Sequence, residues 1–275
     1  MSSEADMDIT VNYERRGSGS PLVLLHGIGH RWQAWLPVLD RLAERHQVFA
    51  VDLPGFGRSP RLPEGTAHDL SGSVGVLRGI FQTLGVENPH VAGNSLGGLL
   101  AIEAAAQGLV ASATALSPAG FWNRRDRARA FAALRWMRRG ARAPQTATRI
   151  VLRSDALRNG SLRMLYAHPE RIDLKTALGD MGALRGAASF EPTLAAGEDF
   201  AWNGPSPAVP LTVAWGAGDR LLPPRQAFRA TRLLPSARHV LLPDCGHVPM
   251  SDAPGLVADT ILHTCATAER PLTVR

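Results

Sequence analysis

The clearest structural signal in the chain lies in residues 89–106, which read PHVAGNSLGGLLAIEAAA. A short apolar run ends at Gly93, and a helical pattern starts at Leu96. The glycines around Ser95 match the G-x-S-x-G arrangement of strand, tight turn and helix, whereas the same letters without that context would indicate only a glycine-rich turn. A turn this sharp strains the serine backbone, and side chains at the glycines would collide with the strand and the helix. The stretch predicts a nucleophilic Ser95 at a helix amino terminus, where free N–H groups favour negative charge.

Short apolar runs bounded by Gly, Pro, Ser or Asp alternate with helical patterns on both sides of this stretch. Such runs are typical of strands buried on both faces, and the alternation predicts an α/β fold with a mostly parallel central sheet flanked by helices. The start of the chain, Ile9 to Arg15, is predicted to add an antiparallel strand or hairpin at the sheet edge. The strand-like runs are 21–25, 47–51, 90–92, 113–116, 211–215 and 239–242, and the helical patterns are 32–44, 70–85, 96–107, 224–233 and 253–265.

The alternation stops after Pro118 and resumes at Pro210. Residues 121–205 show helical apolar spacing instead, and they contain fifteen Lys and Arg against eight Asp and Glu. We therefore expect a helical, arginine-rich insertion over residues 121–205, with a catalytic core formed by residues 1–120 and 206–275. An insertion at this place would lie over the carboxyl ends of the strands, where open α/β sheets bind ligands.

Length and composition exclude several classes of protein. The 275 residues are 45% hydrophobic, which suits one large domain with a substantial core. Neither a secretion signal nor a membrane span is visible, and Cys245 and Cys265 alone cannot form a disulfide framework or a zinc site, so we expect a cytoplasmic protein. Lys175 is the only lysine and lies outside any supporting motif, which argues against Schiff-base chemistry.

Two downstream turns supply the partners that a serine nucleophile needs. A serine hydroxyl requires a base to take its proton, and the base requires an acid to orient it. Asp219 lies in a Gly-rich turn after one predicted strand, and His247 lies in a glycine turn after the last. Each would otherwise be an ordinary surface turn residue. The order serine, aspartate, histidine differs from the orders in chymotrypsin-like and subtilisin-like proteases.

An oxyanion site is predicted where the first long apolar run ends. His26-Gly27-Ile28-Gly29 follows that run. The backbone N–H of Ile28 is predicted to converge with that of Leu96 on the developing oxyanion, although a plain turn is the alternative reading.

Five motifs in this order make the chain resemble the α/β-hydrolase superfamily over nearly its whole length. They are His26-Gly27, the stretch DLPGFGRS over residues 52–59, the turn around Ser95, Gly218-Asp219 and Gly246-His247. The resemblance implies a helical cap inserted after the sixth strand, with Ser95 as nucleophile, Asp219 as acid and His247 as base. It also implies no cofactor and no metal.

Departures from the family pattern narrow the range of reactions that we expect. The serine at position 95 disfavours relatives that use an aspartate nucleophile on epoxides or haloalkanes. The Gly-Asn-Ser turn with Asn94 is similar to that of hydrolases that cleave carbon–carbon bonds in vinylogous diketones, but Val248 stands where those usually have Trp. We therefore favour hydrolysis of a carboxylic ester or similar acyl substrate through an acyl-enzyme. Carbon–carbon bond hydrolysis, acyl transfer and a ligand receptor on the same fold remain the alternatives.

The substrate is expected to be a small or medium, partly apolar acyl compound. The positive charge of the insertion is also compatible with an anionic substrate. A solvated arginine face is the favoured reading of that charge, and an entrance that attracts anions is the alternative. The arginines lack the aromatic neighbours that stack bases, so nucleic acid is not an expected partner. The composition does not indicate an oligomeric state. Candidate substrate contacts are Asn94, Trp32, Phe131, Trp136 and Val248.

Overall fold

The computed structural model describes residues 9–270, apart from residues 64 and 67. Seven strands within this part form one sheet in the order β1-β3-β2-β4-β5-β6-β7. All neighbouring pairs are parallel except β1 with β3, which is antiparallel. The strands are β1 (Tyr13–Arg16), β2 (Ser20–Leu25), β3 (His46–Val51), β4 (His90–Asn94), β5 (Ser112–Leu116), β6 (Leu211–Gly216) and β7 (Arg238–Leu242). The predicted α/β fold with a mostly parallel sheet is confirmed.

Helices cover both faces of the sheet, as the apolar strands require. Side chains of successive strand residues point to opposite faces, so Val23 and Leu25 join one core cluster while Leu22 and Leu24 join the other. The helices are α1 (Leu36–Ala43), α2 (Leu70–Leu84), α3 (Leu96–Ala106), α4 (Arg124–Ala141), α5 (Gln145–Arg153), α6 (Asp155–Leu162), α7 (Leu174–Gly186), α8 (Phe190–Ala196), α9 (Arg225–Leu233), α10 (Pro249–Asp252) and α11 (Pro254–Glu269), with short 3-10 turns at Trp32–Trp35 and Pro169–Arg171.

Within the described residues, the chain segment before β2 contributes one strand, β1, on the outer side of β3. The sequence left a strand or a hairpin open for Ile9 to Arg15, and the described residues form a single strand there, which pairs with β3. The run of helices that the resemblance places after the sixth strand therefore follows β5, the fifth strand of the described chain.

Five consecutive helices, α4 to α8, separate β5 from β6, and we refer to residues 124–196 as the helical segment. The segment begins where the Asn123 side chain accepts the N–H of Asp126 and caps α4. The carboxylate of Asp126 in turn accepts hydrogen bonds from Arg225 and Arg229 of α9, which ties the segment to the core. In the part of the chain that the structure describes, no helix combines the length and apolar composition that crossing a bilayer requires.

Candidate active site

Ser95 occupies the turn between β4 and α3 with a left-handed backbone, at φ 57° and ψ −113°. A non-glycine residue held there costs of order 1–3 kcal/mol, so the surrounding structure must impose it. The glycines on either side allow this, because a Cβ on Gly93 would lie 2.0 Å from the Gly97 oxygen, and one on Gly97 would lie 2.1 Å from the Leu25 oxygen. The Ser95 N–H also donates to the Leu116 oxygen over 2.9 Å. The strained turn predicted from the sequence is present.

Asp219 and His247 are in direct contact. The Nδ1 of His247 lies 2.8 Å from Oδ2 of Asp219, and both side chains are almost completely buried. The other carboxylate oxygen, Oδ1, accepts the N–H groups of Leu221 and Leu222 over 2.9 and 2.8 Å. Asp219 is therefore fixed by the turn after β6, and the imidazole donates its Nδ1–H to the carboxylate. This leaves the lone pair on Nε2 of His247 free to act as a base.

Asn94 holds the loop that carries His247. Its Nδ2 donates to the backbone oxygen of His247 over 2.9 Å and to that of Leu116 over 3.1 Å. The sequence suggested Asn94 as a substrate contact. The side chain borders the cavity beside Ser95, but its donor group is used to join β4, β5 and the histidine loop.

The loop after β2 passes directly beside the serine. A Cβ on Gly27 would lie 3.1 Å from the Ser95 Cβ, so a larger residue here would push against the serine, and glycine lets this backbone come close. The Nδ1 of His26 contacts the Gly27 oxygen at 2.7 Å, while its Nε2 accepts the Leu53 N–H over 3.0 Å. Since Nε2 accepts, Nδ1 carries the proton and fixes the Gly27 carbonyl. Burial lowers the pKa of His26 to about 4, which keeps this imidazole neutral.

Two cavities meet at Ser95. The larger, of about 340 Å³, is lined by Ser95, His247 and residues of the helical segment. The smaller, of about 140 Å³, is lined by Ser95, by apolar side chains from the core and the helical segment, and by the polar residues His68, Asp69, Ser73 and Thr193. Four residues border both cavities, namely Ile28, Ser95, Leu134 and Leu221.

The predicted substrate contacts fall on different sides of Ser95. Trp136 and Val248 border the larger cavity, and Phe131 borders the smaller. Trp32 borders neither of the two. Its backbone N–H donates to Oδ1 of Asp52 over 2.7 Å, and its side chain packs against the core cluster that includes residues of α1. Trp32 therefore belongs to the core rather than to a cavity wall.

Neither an arginine nor a lysine lines either cavity among the described residues, and the basic groups there are the imidazoles of His30, His68 and His247. Asp180 borders the larger cavity, but Arg31 pairs with it over 3.0 Å. The alternative reading of the basic insertion, an entrance that attracts anions, therefore finds no support in the lining of these cavities.

Asp252, which the sequence analysis did not single out, also holds the loop that carries His247. This buried carboxylate accepts the N–H groups of Gly246, Ala167 and His168 over 2.7, 3.0 and 2.9 Å. It thus joins the histidine loop to the stretch between α6 and α7. Its partners in the helical segment lie 84 and 85 residues away in sequence, a separation that local patterns do not reveal.

Comparison of the sequence and the fold with known proteins relates this chain to several of them. A family model for the alpha/beta hydrolase fold matches residues 20–254. A solved thermophilic esterase from Thermogutta terrifontis superposes with a TM-score of 0.71 at 20% identity, covering 96% of this chain and 98% of that one. A meta-cleavage product hydrolase from Pseudomonas fluorescens gives a TM-score of 0.71 at 20% identity, covering 95% and 96%. At these identities the likeness shows the fold.

One curated relative is closer in sequence but matches only in part. The dihydrolipoyllysine-residue acetyltransferase component of the acetoin cleaving system of Cupriavidus necator is 43% identical over 122 residues, which are 42% of this chain. The match spans 32% of that relative's length.

Proposed function

The chain belongs to the alpha/beta hydrolase fold family, and from this premise we propose that it is a serine hydrolase that cleaves a carboxylic ester through an acyl-enzyme. In this proposal Ser95 is the nucleophile, His247 the general base and Asp219 the acid that orients it. The main support is the 2.8 Å contact between His247 and Asp219, on an imidazole that borders the same cavity as Ser95.

The reaction follows from where each proton can go. Nε2 of His247 takes the hydroxyl proton while Oγ of Ser95 bonds to the ester carbon, and the carbonyl electrons move to its oxygen. Asp219 stabilises the imidazolium. When the tetrahedral intermediate collapses, Nε2 returns the proton to the departing alkoxide and leaves an acyl-serine. Water, activated by the same imidazole, then releases the acid and restores Ser95.

The oxyanion is stabilised by two peptide N–H groups in this proposal. Leu96 contributes the first N–H of α3, whose dipole favours negative charge at that end. Ile28 contributes its N–H from the loop that Gly27 brings against Ser95. Losing one such donor typically slows a reaction by about 10² to 10³.

The two cavities also indicate which part of the ester lies where. The leaving oxygen must be within reach of Nε2 of His247, and His247 borders only the larger of the two cavities. The alcohol part of the substrate therefore occupies the larger cavity and the acyl part the smaller. Because neither an arginine nor a lysine lines either of them in the described chain and most of the lining is apolar, the preferred ester is neutral and apolar on both sides, rather than anionic.

The helical segment forms the roof of this site in our proposal. Residues of α4 to α7, including Leu134, Leu152, Leu162 and Met181, border the larger cavity. We therefore keep residues 121–205 as a cap, with residues 1–120 and 206–275 as the catalytic core. A cap of this kind sets substrate choice and excludes water.

Two isomeric esters test the proposal, since phenethyl acetate places its bulk in the alcohol and methyl 3-phenylpropanoate places it in the acyl group. Their hydrolysis is followed by pH-stat titration. The wild type is expected to hydrolyse phenethyl acetate with the higher kcat/KM, and Ser95→Ala to hydrolyse neither. Full turnover by Ser95→Ala would overturn the assigned nucleophile, and the opposite preference would overturn the orientation of the substrate.

Carbon–carbon bond hydrolysis is the second candidate because of Asn94 in the Gly-Asn-Ser turn. A ring-cleavage dienoate carries a carboxylate, for which the cavities offer no cation. We therefore expect the dienoate to lose its colour slowly while esters are hydrolysed promptly. Prompt loss of the dienoate's colour with slow ester hydrolysis would instead make carbon–carbon bond hydrolysis the favoured reaction. Added alcohol or thiol acceptors distinguish acyl transfer, because a transferase forms a new ester or thioester instead of the free acid. A receptor would turn over none of these compounds.

A further inference from the structure

The edge of the sheet opposite the candidate active site carries a second cluster of polar side chains. His46 begins β3, His90 begins β4 and Glu269 ends α11. One potential ligand atom from each lies within 4.8 Å of the other two. The described residues contain no second group of three or more such side chains with this spacing. Both imidazoles are buried, whereas the Glu269 side chain is 46% exposed and opens the cluster to solvent.

The hydrogen bonds around His46 fix where its proton lies. Nδ1 of His46 is 3.3 Å from the Ser20 carbonyl oxygen and 2.9 Å from the Ser20 hydroxyl. A carbonyl can only accept, so Nδ1 carries the proton. The Ser20 hydroxyl donates its own proton to Oε1 of Glu269 and accepts from His46. Nε2 of His46 therefore keeps a free lone pair.

His90 can adopt the same tautomer. Its Nδ1 lies 2.8 Å from the hydroxyl of Ser112, which can accept the Nδ1–H. Without an ion, Nε2 can instead carry the proton and donate to Oε1 of Glu269 at 3.3 Å, so an ion bound there takes the place of that proton. Two ligands held about 2.0–2.1 Å from a tetrahedral zinc ion are roughly 3.3 Å apart, so this spacing suits a shared ion.

We propose that His46, His90 and Glu269 bind one zinc ion at the amino-terminal edge of the sheet, with water as the fourth ligand. Imidazole and carboxylate groups form a donor set that zinc accepts readily. Ser20 and Ser112 orient the two imidazoles through Nδ1, as hydrogen-bond partners of metal-bound histidines commonly do. The bound ion ties the last turn of α11 to β3 and β4, so it stabilises the fold and takes no part in ester chemistry.

Calorimetric titration of the metal-free full-length chain with zinc chloride, in a buffer that does not chelate, tests this proposal. The expected result is one ion bound per chain and a higher Tm in its presence. Glu269→Gln removes only a half-exposed carboxylate and is expected to weaken binding at least about 10-fold. Ser20→Ala, which removes only the orienting hydroxyl, is expected to weaken it about 10-fold to 100-fold.

The matched control is His263→Ala, which removes an exposed histidine of the same helix α11 and is expected to bind zinc as the wild type does. Far-UV circular dichroism checks that each variant is folded. Visible absorption of bound cobalt reports on tetrahedral coordination without any activity measurement. Absence of stoichiometric binding by the wild type, or equal affinity in Glu269→Gln and the wild type, would overturn the site and leave a plain hydrogen-bond network.

Discussion

Four buried histidines divide evenly between the two edges of the sheet. His26 and His247 follow strand ends at the carboxyl edge, and His46 and His90 begin strands at the amino edge. All four are at most 3% exposed. At both edges the partner of one ring nitrogen defines the tautomer, namely Asp219 for His247 and Ser20 for His46. Burial and a fixed tautomer are therefore common to the two regions.

The two regions differ in the groups that surround the unprotonated ring nitrogens of these histidines. At the carboxyl edge, His247 borders a cavity shared with the strained Ser95 at the start of α3. At the amino edge, the two imidazole rings meet edge to face with their centroids 5.4 Å apart, and Nε2 of His90 lies 3.3 Å from the carboxylate of Glu269. A buried histidine thus identifies a reactive site only together with the group and the space in front of it. The same residue type suits proton transfer at one edge and cation binding at the other.

The largest expected effect concerns the base itself. His247→Ala is predicted to lower kcat for ester hydrolysis by about 10⁴-fold or more, because the serine then has no proton acceptor. Adding Ser95→Ala is expected to cause little further loss, since the two residues act as one unit. Steady-state kinetics on phenethyl acetate provide the measurement, with His263→Ala as a control on an exposed histidine. A decrease of less than 10-fold would show that His247 is not the catalytic base, so that proton transfer would no longer distinguish the carboxyl edge from the amino edge.

The next effect is a pH dependence of stability. Burial lowers the pKa of His26 to about 4 from its usual 6.5, so the unfolded chain binds this proton more readily than the folded one. The stability that the neutral form provides is complete above pH 6.5 and is lost as the pH falls toward 4. The difference corresponds to roughly 3 kcal/mol. His90, with its pKa lowered by burial, adds loss of the same sign. Urea unfolding at pH 7, 6, 5 and 4 measures this, and constant stability from pH 7 to 4 would contradict it.

A smaller effect is expected behind the histidine loop. Asp252→Asn replaces a carboxylate that accepts three N–H groups, one from the loop and two from the helical segment. The loss is predicted to be about 1–3 kcal/mol in the free energy of unfolding. The matched control is Asp259→Asn, whose exposed carboxylate pairs with Arg41 on the surface and is expected to contribute at most about 1 kcal/mol. Equal losses in the two variants would argue against a special role for Asp252.

The smallest effect should come from the tether of His247. Asn94→Ala removes the hydrogen bond to the His247 carbonyl and is predicted to lower kcat about 10-fold while KM changes little, because the imidazole is less well positioned. Gln107→Ala, at the other end of α3, serves as the control. A rise in KM with unchanged kcat would instead support the direct substrate contact that the sequence suggested.

The sequence predicts the six parallel strands well because each contains a short apolar run that ends near a turn residue, whereas β1 is largely charged and the sequence leaves a strand or a hairpin open there. The motif residues at the carboxyl edge could be located for the same reason, since parallel strands end at a common edge. Ser95, Asp219 and His247 each follow a different strand, and a pattern read along one chain is enough to place them there.

Long-range pairings are what the sequence does not reveal. The arginines of the helical segment read as a solvated face, yet Arg138 is buried and donates to backbone oxygens of Leu184 and Ala187. Its acceptors lie 46 and 49 positions further along the chain, where α7 ends. Trp32 was a candidate substrate contact, but its side chain packs against the core and its backbone N–H donates to Asp52. Such contacts depend on how the helices cross, and helical periodicity does not specify that.

The proposed mechanism requires above all that Ser95 is an activated nucleophile, and labelling with a fluorophosphonate measures this directly. Intact-mass spectrometry of the treated protein is predicted to show one adduct per chain, mapped to the peptide that contains Ser95. The adduct should be absent in Ser95→Ala and strongly slowed in His247→Ala. An unlabelled wild type that still hydrolyses esters, or an adduct on another residue with activity retained by Ser95→Ala, would contradict the account.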